Sequence, residues 1–315
     1  MTKTRHLFAG LAVALASWLT AGSAYAQNAH SWVSSTGAGT ACTRAAPCAL
    51  FQTAQSVTSA GGVISVVDPG EYLDLTITKS LTVRAEGVDG GSATTLFNGF
   101  WIVIQAGPND VVTLEGLHFS GVGGVRFDSG GHLHVVRCVI TNSNLSSNSG
   151  IKFRPNTASK LTVTDTVITN MGSGTGGGIV VSPQSGGSAR VALERVTVNG
   201  NAFGIVADGS SSTAGINMTI ADSMIANNAN DGIIATTSGG GAPIGVMVTN
   251  TKSINNQFGI RSFGPNVTVR VKNSDIIGND NGLAFASGGA LLSAGNNMVQ
   301  TNGIKGAFSG SIALE

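Results

Sequence analysis

The chain has 315 residues, only 10% of them charged, with 17 Lys and Arg against 16 Asp and Glu. That balance excludes the broad basic surface of a nucleic-acid binder. An apolar content of 42% and a total of 45 Gly exclude an extended, highly charged disordered chain and point to tightly turned structure.

In chain order, residues 1–26 read as a secretory signal. Lys3, Arg5 and His6 form a basic start, LFAGLAVALASWL is the apolar centre, and AYA ending at Ala26 is a small-x-small cleavage site. The apolar run is shorter than a membrane-spanning helix, which favours cleavage over retention as an anchor. Cleavage places Gln27 at the amino terminus and leaves 15 cationic against 16 acidic residues. The expectation is a secreted or periplasmic protein, near neutral, with no stable membrane anchor and no nucleic acid as partner.

Residues 27–62 read as an N-terminal strand, disulfide loop and capping helix. Cys42 and Cys48 close a short loop, and in an exported protein such a pair is most simply a disulfide. A metal site is disfavoured because no His or further Cys lies near in sequence, and no metal or cofactor is expected. From Pro47 to Ser59, Leu50, Phe51, Ala54 and Val57 recur at helical spacing. This predicts a short amphipathic helix laid across the open end of whatever follows.

Residues 63–315 form the main body. GGVISVVDPGEYLDLTITKSLTVRAEG predicts strands at Val63–Val67, Leu73–Ile77 and Leu81–Ala85, and Phe97–Gln105 and Val111–Phe119 continue the series. Asp68, Glu71 and Asp74 are close in sequence, which fits either a calcium or acid–base site or ordinary Pro-Gly corner chemistry.

From Val112 to Gly303 one short phrase recurs, ending in Gly followed by an aliphatic residue. The markers Gly124, Gly150, Gly178, Gly204, Gly232, Gly259, Gly282 and Gly303 are spaced by 26, 28, 26, 28, 27, 23 and 21 residues. Such self-similarity is the mark of a repeat architecture. Apolar and polar residues alternate over three short runs per copy, the period of half-buried strands rather than helices. Three strands per copy, separated by Asn, Gly, Asp and Ser, describe a coil that climbs one strand spacing, ~4.8 Å, per repeat. Equivalent residues then stack: Ile179, Ile205, Ile233, Ile260 and Leu283 inside, and Asn142, Asn170, Asn227 and Asn255 at a turn that suits αL backbone. Cys138 falls in the column of Leu117, Thr166, Val196, Ser223 and Thr251 and reads as a buried thiol. After Gly303 the phrase shortens to IKGAFSGSIALE, which suggests no barrel segment or sorting motif.

These repeats, with the opening DPGEY…TITKSLTVRAEG, resemble the right-handed parallel β-helix superfamily, the fold of pectate lyases, polygalacturonases, phage tailspikes and many secreted bacterial proteins. The resemblance implies an all-β right-handed parallel β-helix with three-strand coils and a short N-terminal capping helix. It names no activity, because the fold hosts many.

The superfamily's enzymes use one sheet, and the Gly-aliphatic strands here look like it. Alternation along those strands puts Arg126, Asp128, Lys152, Arg154, Asp208 and Arg261 outward, with Val180, Val206 and Ile234 as an exposed apolar stripe. Arg126, Lys152 and Arg154 converge on neighbouring coils. That patch serves either to hold uronate carboxylates or simply for solubility. Glycoside hydrolysis needs two carboxylates about 5–10 Å apart. Asp128 and Asp208 are three coils apart, roughly 14 Å. Asp231 in NANDGII resembles the Asp of the polygalacturonase Asn-Thr-Asp-Gly run, but the companion motifs are absent. His118 and His134 read as surface histidines. The leading expectation is a non-catalytic β-helix that binds acidic extracellular polysaccharide or an envelope protein. A polysaccharide lyase or hydrolase with an atypical site, or a structural spacer, stands as the alternative.

Overall fold

Each copy of the repeat folds into three short strands, such as Gly177–Val181, Ser188–Glu194 and Thr197–Asn199. In the computed structural model, which describes residues 27–85, 90–91, 100–121, 123–143 and 145–313, every one of them pairs in parallel with its counterpart one coil away. Among the described residues this builds three long sheets of twelve, nine and eight strands, one short two-stranded pair and one helix. The protein is thus an all-β parallel solenoid with three-strand coils. The expected signal segment, residues 1–26, and Phe97 lie outside the described residues.

The Gly-aliphatic strands form the nine-stranded sheet. Their aliphatic residues stack in register, Val125 on Ile151, Ile179, Ile205, Ile233, Ile260 and Leu283, and all are buried. The preceding glycines are dictated by close approach. A Cβ built at Gly124 meets the Gly150 carbonyl oxygen at 2.1 Å, and one at Gly204 meets that of Gly232 at 2.3 Å. No side chain fits between coils at that level.

At two corners of eight successive coils a residue with positive φ recurs in the same place. Between the twelve- and eight-stranded sheets that residue is Gly116, Arg137, Asp165, Arg195, Asp222, Asn250, Asn273 and Asn296 in succession. Between the eight- and nine-stranded sheets it is Gly121, Asn142, Asn170, Gly200, Asn227, Asn255, Gly278 and Thr301. The expected Asn stack is present: Asn170 donates to the Asn142 side chain at 3.2 Å and Asn255 to Asn227 at 3.4 Å. Gly200 interrupts it, and there Asn227 turns to the Oδ1 of Asn199 at 2.6 Å.

Immediately inside this exposed ladder runs a second one. Asn201, Asn228, Asn256, Asn279 and Asn302 are joined Nδ2 to Oδ1 at 3.0, 2.8, 3.0 and 3.0 Å. The Oδ1 of Asn228, Asn256, Asn279 and Asn302 also accepts the backbone N–H of the Asn one coil before, and that of Asn201 accepts the Met171 N–H. Amides that turn away from the sheet ladders thereby find acceptors in a place closed to water. The column containing Cys138 works the same way: the Val196 N–H donates to Ser223 Oγ, that of Ser223 to Thr251 Oγ1, and that of Thr251 to Ser274 Oγ. Cys138 is fully buried, and burial pushes its thiol up to about 12, so it is an inert core residue.

The helix runs Phe51–Val57, inside the wider span suggested by periodicity, because the chain leaves it directly into the strand Thr58–Val66. Two further strands are shorter than expected, at Leu75–Ile77 and Leu81–Arg84. The helix lies beside Leu75–Ile77, the first strand of the nine-stranded sheet. Phe51 drops from it into the core, with ring centroids 5.1 Å from Tyr72 and 5.6 Å from Trp101, which meets Phe119 at 4.4 Å. This aromatic plug closes the N-terminal end of the stack. The strand Asn28–Val33 adds to the edge of the twelve-stranded sheet, and the Cys42–Cys48 disulfide loop lies against its far side, hydrogen-bonded through Trp32 and Ser34. The bond is the chemistry of an oxidising, extracellular or periplasmic compartment. Among the described residues no helix is long and apolar enough to cross a membrane.

The inner Asn ladder carries a direct prediction. Asn256→Ala removes the acceptor of the Asn228 backbone and side-chain donors, so urea unfolding should show a loss of about 3 kcal/mol. Asn255→Gly, which keeps the αL corner and removes only an exposed amide, should change stability by about 1 kcal/mol or less. Equal losses from the two variants would show that the buried ladder has no special weight.

Candidate functional site

On the outer face of the nine-stranded sheet, side chains of successive coils stand in columns. Val103, Arg126, Lys152, Val180, Val206, Ile234, Arg261 and Ala284 form one, in direct register. Two residues further along each strand, Asp208, Thr236, Phe263 and Ala286 continue the second column. Asp128 and Arg154 lie two residues beyond Arg126 and Lys152 in the same way.

Four of the expected site residues come together. Asp128 holds two guanidinium groups: Arg126 donates from Nε at 3.1 Å, and Arg154 Nε lies 3.1 Å from the other carboxylate oxygen as a charge pair without hydrogen-bond alignment. Gln105 donates to the same carboxylate at 3.3 Å. Arg126 also stacks 5.7 Å over the Phe100 ring, which leaves its side chain only 15% exposed. Gln184 fastens Arg154 from the next coil, accepting from its guanidinium at 3.2 Å and donating to its backbone carbonyl at 2.9 Å. Phe100, Gln105 and Gln184 were not read as site residues from the sequence. Only the column alignment of neighbouring coils, which needs the turn lengths, would have placed them.

Lys152 sits among these groups, half-buried. Its ammonium has no hydrogen-bond or ion-pair partner among the described residues. Burial lowers its pKa first, then Arg154 and Arg126, with Asp128 opposing. Three cations thus share one carboxylate, and the site carries two net positive charges with the Lys152 donors open. An arrangement of two oriented forks and one ammonium suits planar carboxylates.

The other two candidates do not join this cluster. Asp208 is two strands beyond Arg154, ~10 Å away at the strand spacing, and caps the Ser210 backbone N–H at 2.9 Å. Arg261 is four strands beyond Lys152 and is held by Asp231 at 2.5 Å and by the Phe258 ring at 4.6 Å. The exposed apolar stripe is also corrected: Ile234 is only 7% exposed and Val180 and Val206 are half-buried. Alternation gives the side of the sheet but not what lies over it.

Asp68, one of the early carboxylates, is a structural staple. Ser34 Oγ, the Ser35 N–H and Tyr72 Oη donate to it at 2.6, 2.7 and 2.7 Å, which holds its carboxyl down at about 2. Among the described residues no group of three or more His, Cys, Asp and Glu side chains could hold a metal ion. His134 is not an isolated surface histidine: its ring lies 3.7 Å from that of His132.

No protein-family profile matches the chain, and no curated protein is similar to it. Among solved structures the chain is similar to the crystal structure of pectate lyase Pel9A, with a TM-score of 0.48 and 14% identity over 84% of this chain and 67% of that one. The fold stands on the strand pairing described above, and the chemistry has to come from this chain's own residues.

The buried Asp231 makes the coil pH-sensitive. Burial pushes its carboxyl up from 3.8 to about 6 and outweighs the attraction of Arg261. The folded protein therefore binds this proton more tightly than the unfolded chain, and the resulting stabilisation is complete below pH 4 and lost as pH rises through 6. Asp231→Asn should remove a fall of about 2–3 kcal/mol between pH 4 and 6.5. Parallel unfolding curves of variant and parent across that window would contradict the assignment.

Proposed function

We propose that the protein is a secreted, non-catalytic solenoid that binds acidic extracellular polysaccharide, with the nine-stranded sheet as its recognition face. One observation carries this reading: Arg126, Lys152 and Arg154 converge on adjacent coils around the single carboxylate of Asp128, and the half-buried Lys152 is left without an acceptor. A uronate carboxylate supplies that acceptor. Two guanidinium groups already aligned by Asp128, Phe100 and Gln184 lose little side-chain freedom on binding it. A cluster serving only solubility would project its charges into water instead of holding them 15–38% exposed.

The lowered pKa of Lys152 favours a second reading, a polysaccharide lyase. A lysine whose ammonium is disfavoured by burial and by the flanking Arg154 and Arg126 is placed to take the proton α to a uronate carboxylate while the two arginines stabilise the developing charge. A hydrolase finds less support, since Asp128, the only carboxylate on this part of the face among the described residues, is engaged by both arginines.

Retention of the mature chain, Gln27 to Glu315, on immobilised polygalacturonate separates these readings. Binding should weaken with salt, and Lys152→Ala should weaken it about tenfold or more. Release of unsaturated products that Lys152→Ala abolishes would transfer the conclusion to the lyase. Retention that ignores both salt and the substitution would remove the cationic cluster from either role.

A further inference from the structure

The outer face of the twelve-stranded sheet carries a groove of about 580 Å³ that the reading above leaves without a role. It crosses six consecutive strands, from His132–Val136 to Val267–Lys272, and so runs along the solenoid axis for five strand spacings, ~24 Å. Lys160 and Arg190 are register partners on adjacent strands at one side, and Arg270 stands three strands further on. Among the described residues no carboxylate lines the groove. None of these three cations has an ion pair or hydrogen bond among the described residues.

The floor is flat and low. Thr162, Ala192, Thr219 and Met247 follow one another in register along it, flanked by the exposed amide of Asn217. Short hydroxyl and methyl side chains of this kind suit pyranose rings lying flat, with C–H faces on Ala192 and Met247 and hydroxyls on Thr219 and Asn217. One sugar in an extended chain advances by nearly one strand spacing, so charges repeated along such a polymer keep step with cations repeated along the sheet. His132 closes the near end. Its Nε2 meets Thr162 Oγ1 at 2.9 Å, and burial, then His134 and Lys160, lower its pKa to about 4, so it is a neutral hydrogen-bonding wall at pH 7.

We propose that this groove is a second site for a carboxylated polysaccharide chain, lying along the solenoid axis with its carboxylates on Lys160, Arg190 and Arg270. It deepens the function proposed above, because the same class of polymer then has two sites on different sheets. One molecule can therefore join two chains and cross-link an acidic matrix.

Calorimetric titration with hexagalacturonate tests this. The parent should bind two oligosaccharides per chain. Lys160→Ala/Arg190→Ala should keep one of them and lose the other or weaken it at least tenfold, and Lys152→Ala should do the converse. Only the parent should then precipitate long polygalacturonate. All substitutions are at solvent-facing positions, and an unchanged melting temperature confirms folding. A single site that survives in Lys160→Ala/Arg190→Ala overturns the groove and leaves the nine-stranded site standing. A single site lost in that variant supports the groove and overturns the earlier reading, while no binding at all overturns both. Equal displacement by polyglutamate overturns the saccharide assignment in favour of an acidic peptide.

Discussion

The structure depends on one geometric constraint: each coil must rise by a single strand spacing and still turn its corners in the same place every time. Two of those corners are made by one residue with positive φ, repeated through eight successive coils. An L-residue pays about 1 kcal/mol or more for that conformation, least for Asn and Asp and nothing extra for Gly. The abundance of Gly and Asn follows. Where Arg137, Asp165, Arg195 and Asp222 occupy the corner instead, they join side chains along the stack, Arg137 with Glu115 and Arg195 with Asp165 and Glu194. These exposed pairs fix the register of the corners more than they offset the backbone strain there.

The same stacking lets the interior tolerate polar groups. A lone buried Asn amide is expensive, but in a column each one supplies the partner that its neighbour needs. The inner ladder from Asn201 to Asn302 and the Ser/Thr column beside Cys138 both carry backbone N–H groups that the corner geometry withdraws from the sheets. Repetition is therefore a condition of the chemistry, since the first and last members of each column must find other solutions. The inner ladder begins on a backbone donor, the Met171 N–H, which Asn201 Oδ1 accepts at 2.9 Å, and the N-terminal end of the solenoid itself is covered by the helix and the aromatic group around Phe51. At the other end Met298 and Ile304 remain 53% and 63% exposed.

Features that follow from repetition could be read before any coordinates. The aliphatic column, the outer Asn stack, the buried Cys138, the disulfide and the helix all depend on local pattern or on spacing alone. What pattern could not supply is the cover and the cross-coil partner. Ile234 occupies an outward strand position and is nonetheless buried, and Arg261, outward by alternation and so a candidate ligand contact, is claimed by Asp231, one coil away and 30 residues back. The inner Asn ladder escaped for a different reason: Asn201, Asn228 and Asn256 each directly follow an αL corner residue, so in sequence they look like more of the turn. Lys160, Arg190 and Arg270 escaped because they belong to three coils and two adjacent columns.

Net charge sharpens the meaning of those cations. The chain is close to neutral, with 17 Lys and Arg against 16 Asp and Glu, so positive groups left unpaired on two faces imply that acids are concentrated elsewhere. They are found at the corners, where Glu115, Asp165 and Glu194 answer corner arginines, and in the N-terminal turn, where Asp68 ties two segments together. Exposed corner pairs of that sort contribute little to stability and serve mainly to fix register. A chain with so few charges that places them in compensated pairs at its corners, yet leaves Lys152, Lys160, Arg190 and Arg270 without acceptors among the described residues, keeps its structural charges apart from those that the proposed sites would use. On a solenoid of stacked coils the two faces keep a fixed distance and angle, so the two sites proposed above would hold two polymer chains in a fixed relation to one another.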